Sequence, residues 1–165
     1  MVEICSSFEC AARWSSVLLR YGHNKGYDTR QTIHKYASVA TLPLFVAEAI
    51  VGQKLFNRIA TESDSLRGVH SGLAASIGVL FGVNTVTGVW NLRETCKAPN
   101  YRKRLFHGVL MLAADAGFVA TAATAPHRER EGVVSTTGNA STHRALAFAS
   151  FGVATVGYVY MLVAK

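Results

Sequence analysis

The chain has 165 residues, half of them hydrophobic and only 16% Asp, Glu, Lys or Arg, whereas a soluble domain carries about a quarter charged. That length suits one domain. The net charge of +7 does not point to nucleic acid, because the basic residues gather just outside long apolar runs, where the positive-inside rule puts them.

Residues 1–31 do not read as a signal peptide, since Glu3 and Glu9 come early and no apolar core precedes a small-residue cleavage site. Phe8, Ala11, Ala12, Trp14, Ser15, Val17, Leu18 and Tyr21 have roughly helical spacing. The stretch is expected to lie on the membrane surface or against a partner, with a plain N-terminal tail as the other reading. Cys5 and Cys10, with Cys96 further on, form neither a CxxC pair nor a CxxCH motif, which excludes covalent c-type haem.

Residues 32–165 hold four segments long enough to cross a hydrocarbon core of about 30 Å as helices: Ile33–Phe56, Gly68–Asn91, Arg104–Ala125 and His143–Ala164. Pro43 interrupts the first and is expected to kink it, which a membrane helix can absorb. Pro126 closes the third. The links Asn57–Arg67, Leu92–Lys103 and Pro126–Thr142 are short enough to force antiparallel neighbours, so the fold class is all-α, an up-down-up-down four-helix membrane bundle with an N-terminal surface segment. Arg13, Arg20, Lys25, Arg30, Lys35, Arg93, Lys97, Arg102, Lys103, Arg104 and Lys165 outnumber the basic residues of the opposite side. Both termini are therefore expected on the cytoplasmic or equivalent side of a bacterial or organelle inner membrane. Trp90, Tyr36, Tyr101 and Tyr158 fall at interfacial depths and read as the ordinary aromatic belt.

One feature recurs along the chain. His34, His70, His107 and His143 each lie within the first few residues of a span. Because the helices alternate in direction, His34 and His107 share one membrane face, and His70 and His143 share the other. In a sequential bundle these are diagonal partners, so each pair faces across the bundle axis at one depth. This is the arrangement of two bis-histidine haems stacked along the membrane normal, with neutral imidazole as axial ligand and about 20 Å between them in a core about 30 Å thick. Lys35, Arg67, Lys103, Arg104 and Arg144 lie within one turn of a histidine, placed to meet haem propionates or to act as flanking anchors. Gly72, Gly78, Gly82, Gly88, Gly108, Gly117, Gly152 and Gly157 would allow close helix walls. His23 and His127 lie outside the spans and receive no role.

With these histidines and this topology, residues from about Ile33 to Ala164 resemble the transmembrane di-haem b-type cytochromes, the cytochrome b561 type in particular. The resemblance implies haem b at two sites, one on His34 with His107 and one on His70 with His143. It also implies electron transfer across the membrane from ascorbate, a quinol or a redox partner. Any enzymatic role would be as the haem b subunit of a transmembrane oxidoreductase, of quinol, ascorbate or ferric-reductase type. So little chain lies outside the bilayer that partner subunits of a respiratory or photosynthetic complex are expected.

Two acids fall deep within spans, where ionisable groups are functional candidates by default. Glu48, fourteen residues after His34, returns to the same helix face near the depth of His70 and His143. It is placed to take a proton from a quinol or to hydrogen-bond a ligating imidazole. Asp115, two turns after His107, lies near mid-membrane. The alternative overall reading is a cofactor-free structural membrane subunit whose histidines only hydrogen-bond. A pigment-binding protein or a proton-coupled transporter ranks lower. Matched histidine depths are needless for a pigment, and no inverted repeat with broken helices appears. The absence of HExxH, GxSxG and P-loop motifs disfavours soluble hydrolase chemistry.

Overall fold

The computed structural model describes residues 25–57, 64–96, 98–126 and 139–164. They form four helices: α1 (Lys25–Asn57), α2 (Asp64–Glu94), α3 (Tyr101–Ala123) and α4 (Ala140–Val163). All four are long and apolar enough to cross a membrane. Most of the expected surface segment, with Cys5, Cys10 and His23, lies outside the described residues, as does most of the Pro126–Thr142 link with His127. Residues 25–31 form the opening turns of α1.

Each predicted span lies almost wholly within its helix, and the helices generally extend beyond it for local reasons. α1 begins eight residues before Ile33. Its extra turns are tied to the end of α2, where Arg30 pairs with Glu94 and stacks 4.8 Å from the Trp90 ring centre. Nearby, Asn91 Nδ2 donates to Gln31 Oε1 at 3.1 Å. The helix continues through the exposed Pro43, although proline supplies no N–H to the carbonyl one turn back. α4 starts at Ala140 because Asn139 caps it, with its side-chain oxygen accepting from the backbone N–H of Ser141 and Thr142. Such a cap satisfies donors that an unpaired helix start would leave open.

α1 packs chiefly along α2, and α3 along α4, with much less contact between the two hairpins. The diagonal pairs α1/α3 and α2/α4 make no backbone approach, so the bundle is sequential. Its polarity is inverted relative to a soluble protein. Ala37, Ile77, Phe81, Ala114 and Ala154 are the only buried apolar residues among those described, while eight polar ones are buried. Large apolar side chains such as Val46, Val79, Val119, Val156 and Leu162 lie exposed on the outside. A surface of this kind is stable only against lipid, and the chain is an integral membrane protein. Buried hydroxyls are satisfied within their own helices: Thr41 donates to Ala37 O at 2.8 Å, Thr121 to Gly117 O at 2.8 Å and Ser150 to Leu146 O at 2.7 Å.

Each helix also contributes one ring to a phenylalanine cluster. Phe45 lies 4.5 Å from Phe151, Phe118 lies 4.9 Å from Phe81, and 5.3 Å separates Phe118 from Phe151. It packs with Ile77, Ala114 and Ala154 in the apolar core.

Candidate functional site: two histidine pairs and a cleft

The structure brings the four span histidines together as two pairs. The ring centres of His34 and His107 are 6.4 Å apart, and those of His70 and His143 are 6.1 Å apart. The planes are steeply inclined in both pairs, at 79° and 71°. In each pair one ring comes from the α1/α2 hairpin and the other from the α3/α4 hairpin, so both pairs bridge the loosely packed seam between hairpins.

Three of the four rings are hydrogen-bonded at Nδ1, and the fourth has a carboxyl oxygen close to it there. His34 Nδ1 lies 3.1 Å from Asn84 O and 3.0 Å from Thr87 Oγ1. His107 Nδ1 is 2.9 Å from Gly157 O, and His143 Nδ1 is 2.8 Å from Thr121 O. His70 Nδ1 is 2.9 Å from Glu48 Oε1, a close approach that lies off the line of a directed hydrogen bond. The partners follow one rule: Glu48, Asn84, Thr121 and Gly157 each stand fourteen residues after the histidine of their own helix. Fourteen residues of helix rise about 21 Å, which is the depth between the two pairs. In an antiparallel hairpin, that position meets the histidine at the start of the neighbouring helix. An Nδ1–H donated to an oxygen leaves Nε2 as the lone-pair nitrogen. Among the described residues, Nε2 of none of the four makes a hydrogen bond.

Small residues let the rings lie close to the facing helix. A Cβ on Gly88 would stand 3.2 Å from His34 Cε1, and one on Gly52 would stand 3.4 Å from His70 Cε1. Gly52 carried no signal in sequence reading. It becomes visible once the spacing is seen: Gly52 and Gly88 each follow the histidine of their own helix by eighteen residues, five full turns. The two hairpins are also repeats of one another. His107 and His143 reproduce the 36-residue spacing of His34 and His70, offset by 73 residues. The same offset carries Phe45 onto Phe118 and Glu48 onto Thr121.

Below the His70/His143 pair opens a cleft of about 1210 Å³ that reaches all four helices. It is larger than a typical ligand pocket of roughly 300–1,000 Å³. Phe81, Phe118 and Phe151 lie along its wall, and Glu48, Arg67, Arg144 and Asp115 also line it. The Arg144 guanidinium sits over Phe56 at 4.6 Å and near Phe148 at 5.7 Å. Thr85 Oγ1 donates to Asp115, which gives that carboxyl a hydroxyl partner. Glu48 is buried, and its Oε2 has no partner among the described residues.

The other predicted cations lie elsewhere. Lys35 is exposed. Lys103 Nζ donates to Ala164 O at the end of α4. Arg104 donates to Tyr27 Oη at 2.7 Å and to Thr95 Oγ1 at 3.3 Å. Lys103 and Arg104 thus tie helix ends together, whereas Arg67 and Arg144 face the cleft.

The donor set fits a metal that brings most of its own ligands. No group of three or more His, Cys, Asp or Glu side chains able to hold a bare metal ion is present among the described residues. A histidine–metal bond is about 2 Å long, so one ion between two imidazoles puts the ring centres about 6 Å apart. Both pairs have that separation, and three of the four rings have the hydrogen-bonded second nitrogen that ligating histidines usually show. No family model matches this chain, and no curated protein or solved structure matches it either.

Proposed function

We propose that this protein is a membrane electron-transfer cytochrome that holds two b-type haems, one between His34 and His107 and one between His70 and His143. The observation that carries the reading is the fourfold rule of Nδ1 anchoring. Four histidines on four helices each have Nδ1 within 3.1 Å of an oxygen of the residue fourteen places after a neighbouring histidine, three of them in a hydrogen bond. A structural histidine needs no such regularity, and two matched pairs need it even less.

Bound haem supplies one-electron iron chemistry, and its potential is set by axial ligands, hydrogen bonds and burial. The chain's own residues do the rest. The imidazoles would supply Nε2 as the ligating nitrogen, and Gly52 and Gly88 leave room for His70 and His34. Arg67 and Arg144 offer cations to propionates at the His70/His143 end. Near the other end Lys35, Lys103 and Arg104 lie within one turn of a histidine, and the engagement of Lys103 and Arg104 with helix ends makes them weaker partners for propionate. Glu48 and Asp115 in the cleft are the groups that would exchange protons with a quinol. Donor and acceptor are other membrane or redox subunits, with the Lys/Arg-rich ends of the helices on the cytoplasmic-equivalent side of an inner membrane.

The test is a reduced-minus-oxidised absorbance spectrum of the purified protein, with a pyridine haemochrome assay for stoichiometry. The expected result is a b-type α-band with two haems per chain, falling to one in His34→Ala and in His70→Ala. A featureless spectrum from helical, monodisperse protein supplied with haemin would refute the reading. The chain would then be a cofactor-free structural subunit.

A further inference from the structure

The two histidine pairs occupy equivalent places in a repeated architecture, but they are not chemically equivalent. Three of the four rings have a main-chain carbonyl at Nδ1, namely Asn84 O, Thr121 O and Gly157 O, with the neutral Thr87 hydroxyl as a second neighbour of His34. The fourth ring has a side-chain carboxylate there, Glu48 Oε1, 2.9 Å from His70 Nδ1. The repeat shows what is unusual about it. The residue offset from Glu48 by 73 positions is Thr121, which serves His143 through its backbone, whereas Glu48 serves His70 through its side chain. Glu48 is buried, its side chain 8% exposed, and its second oxygen has no donor among the described residues.

We infer that Glu48 makes the His70/His143 site the lower-potential of the two, so that electrons run from that end of the bundle to the His34/His107 end. This rests on the haem reading above. Glu48 Oε1 stands off the line of a directed hydrogen bond, so it acts on the ring through space: a carboxylate oxygen 2.9 Å from Nδ1 raises the electron density of the imidazole and makes Nε2 a stronger donor. A stronger axial donor stabilises ferric over ferrous iron and lowers the midpoint, whereas a neutral carbonyl does this less. With haem held at both sites, a single electron would pass from the site that His70 and His143 hold to the site that His34 and His107 hold. No bond forms or breaks, a one-electron reductant reloads the first site, and a one-electron oxidant empties the second. Glu48 is a positioning residue in this scheme, acting through His70.

The experiment is a spectroelectrochemical titration of detergent-solubilised wild-type protein and of Glu48→Gln, in the full chain. Wild type is expected to titrate in two resolved waves. His34→Ala, which removes the other site, should retain only the lower wave and so assign it. Glu48→Gln keeps a hydrogen-bond acceptor of the same shape but no charge, and should raise the lower midpoint while leaving the upper one in place. Glu48→Asp, which keeps the charge but withdraws it by a methylene, should give a smaller rise. If Glu48→Gln fails to fold, Glu48→Asp and the wave assignment in His34→Ala still decide the matter. Two haems with unmoved midpoints in the Glu48 variants, or a lower wave that belongs to the His34/His107 site, would overturn this inference and leave the haem reading standing. Absence of haem in wild type would overturn the haem reading itself.

Discussion

Gly117 is the tightest point between α3 and α4, and a single methyl there tests whether the hairpin geometry holds the His143 site. A Cβ at position 117 would stand 2.2 Å from Ser150 Oγ and 3.1 Å from Ser150 Cβ. The hydroxyl can rotate away, but it then abandons its hydrogen bond to Leu146 O, a loss of about 0.5–1.5 kcal/mol. The 3.1 Å approach of Ser150 Cβ remains after that rotation, so the helices must also part by a few tenths of an ångström. Overpacking of this kind costs roughly 1–3 kcal/mol. Gly117→Ala should therefore lower the midpoint of thermal unfolding in detergent by several degrees, at about 2–4 °C per kcal/mol for a chain this size. Ser150→Gly removes both offending atoms, so Gly117→Ala/Ser150→Gly should recover most of the loss, a non-additivity that a double-mutant cycle reads directly. Thr121, one turn beyond Gly117, supplies the oxygen for His143, so haem loss from the single variant should follow the same order. Equal stability of Gly117→Ala and wild type, or no rescue by Ser150→Gly, would refute the claim that close α3/α4 packing fixes this site.

Gly88→Ala should weaken haemin binding at the His34/His107 site more than Gly52→Ala weakens it at the other, because the added methyl stands 3.2 Å from one ring and 3.4 Å from the other; haemin titrations of the two variants compare them, and equal affinities would contradict it. Asn139→Ala removes the cap of α4 and should cost about 0.5–2 kcal/mol, seen as a lower unfolding midpoint. Arg144→Gln removes a cleft cation and its stacking on Phe56. It should speed haemin dissociation from the His70/His143 site in a stopped-flow transfer assay and leave the other site's rate unchanged.

The spans were legible because lipid imposes one rule on every residue it touches: apolar outside and backbone satisfied within the helix. That rule acts on composition, so a sequence displays it. The pairing of histidines by depth was legible for a related reason, since short links fix helix direction and a residue at a helix start has a predictable depth. Helix ends were less visible. The early start of α1 depends on Arg30 reaching Glu94 across 64 residues of sequence, a partnership no local pattern records. Lys103 and Arg104 looked equivalent to Arg67 and Arg144 in sequence. Only the fold separates cations that fasten helix ends from cations that face the cleft.

The anchoring of the rings was hidden for a different reason. Three of the four oxygens belong to the main chain, which every residue type carries, so Asn84, Thr121 and Gly157 left no side-chain signature of this role. Glu48 alone brings a carboxyl group to a ring, and an acid within a span stands out in a sequence. The repeat was obscured in a related way: besides the histidines, the identities held between the halves are apolar residues common to any span, such as Phe45–Val46–Ala47 against Phe118–Val119–Ala120. A carboxyl group in such a frame is more than packing requires, because the carbonyl of the same residue position does the anchoring in the other hairpin without burying an acid. Burying an acid costs free energy unless it is paired. The fold accepts that cost at one of four equivalent positions, and it does so where the histidine pair opens onto the cleft.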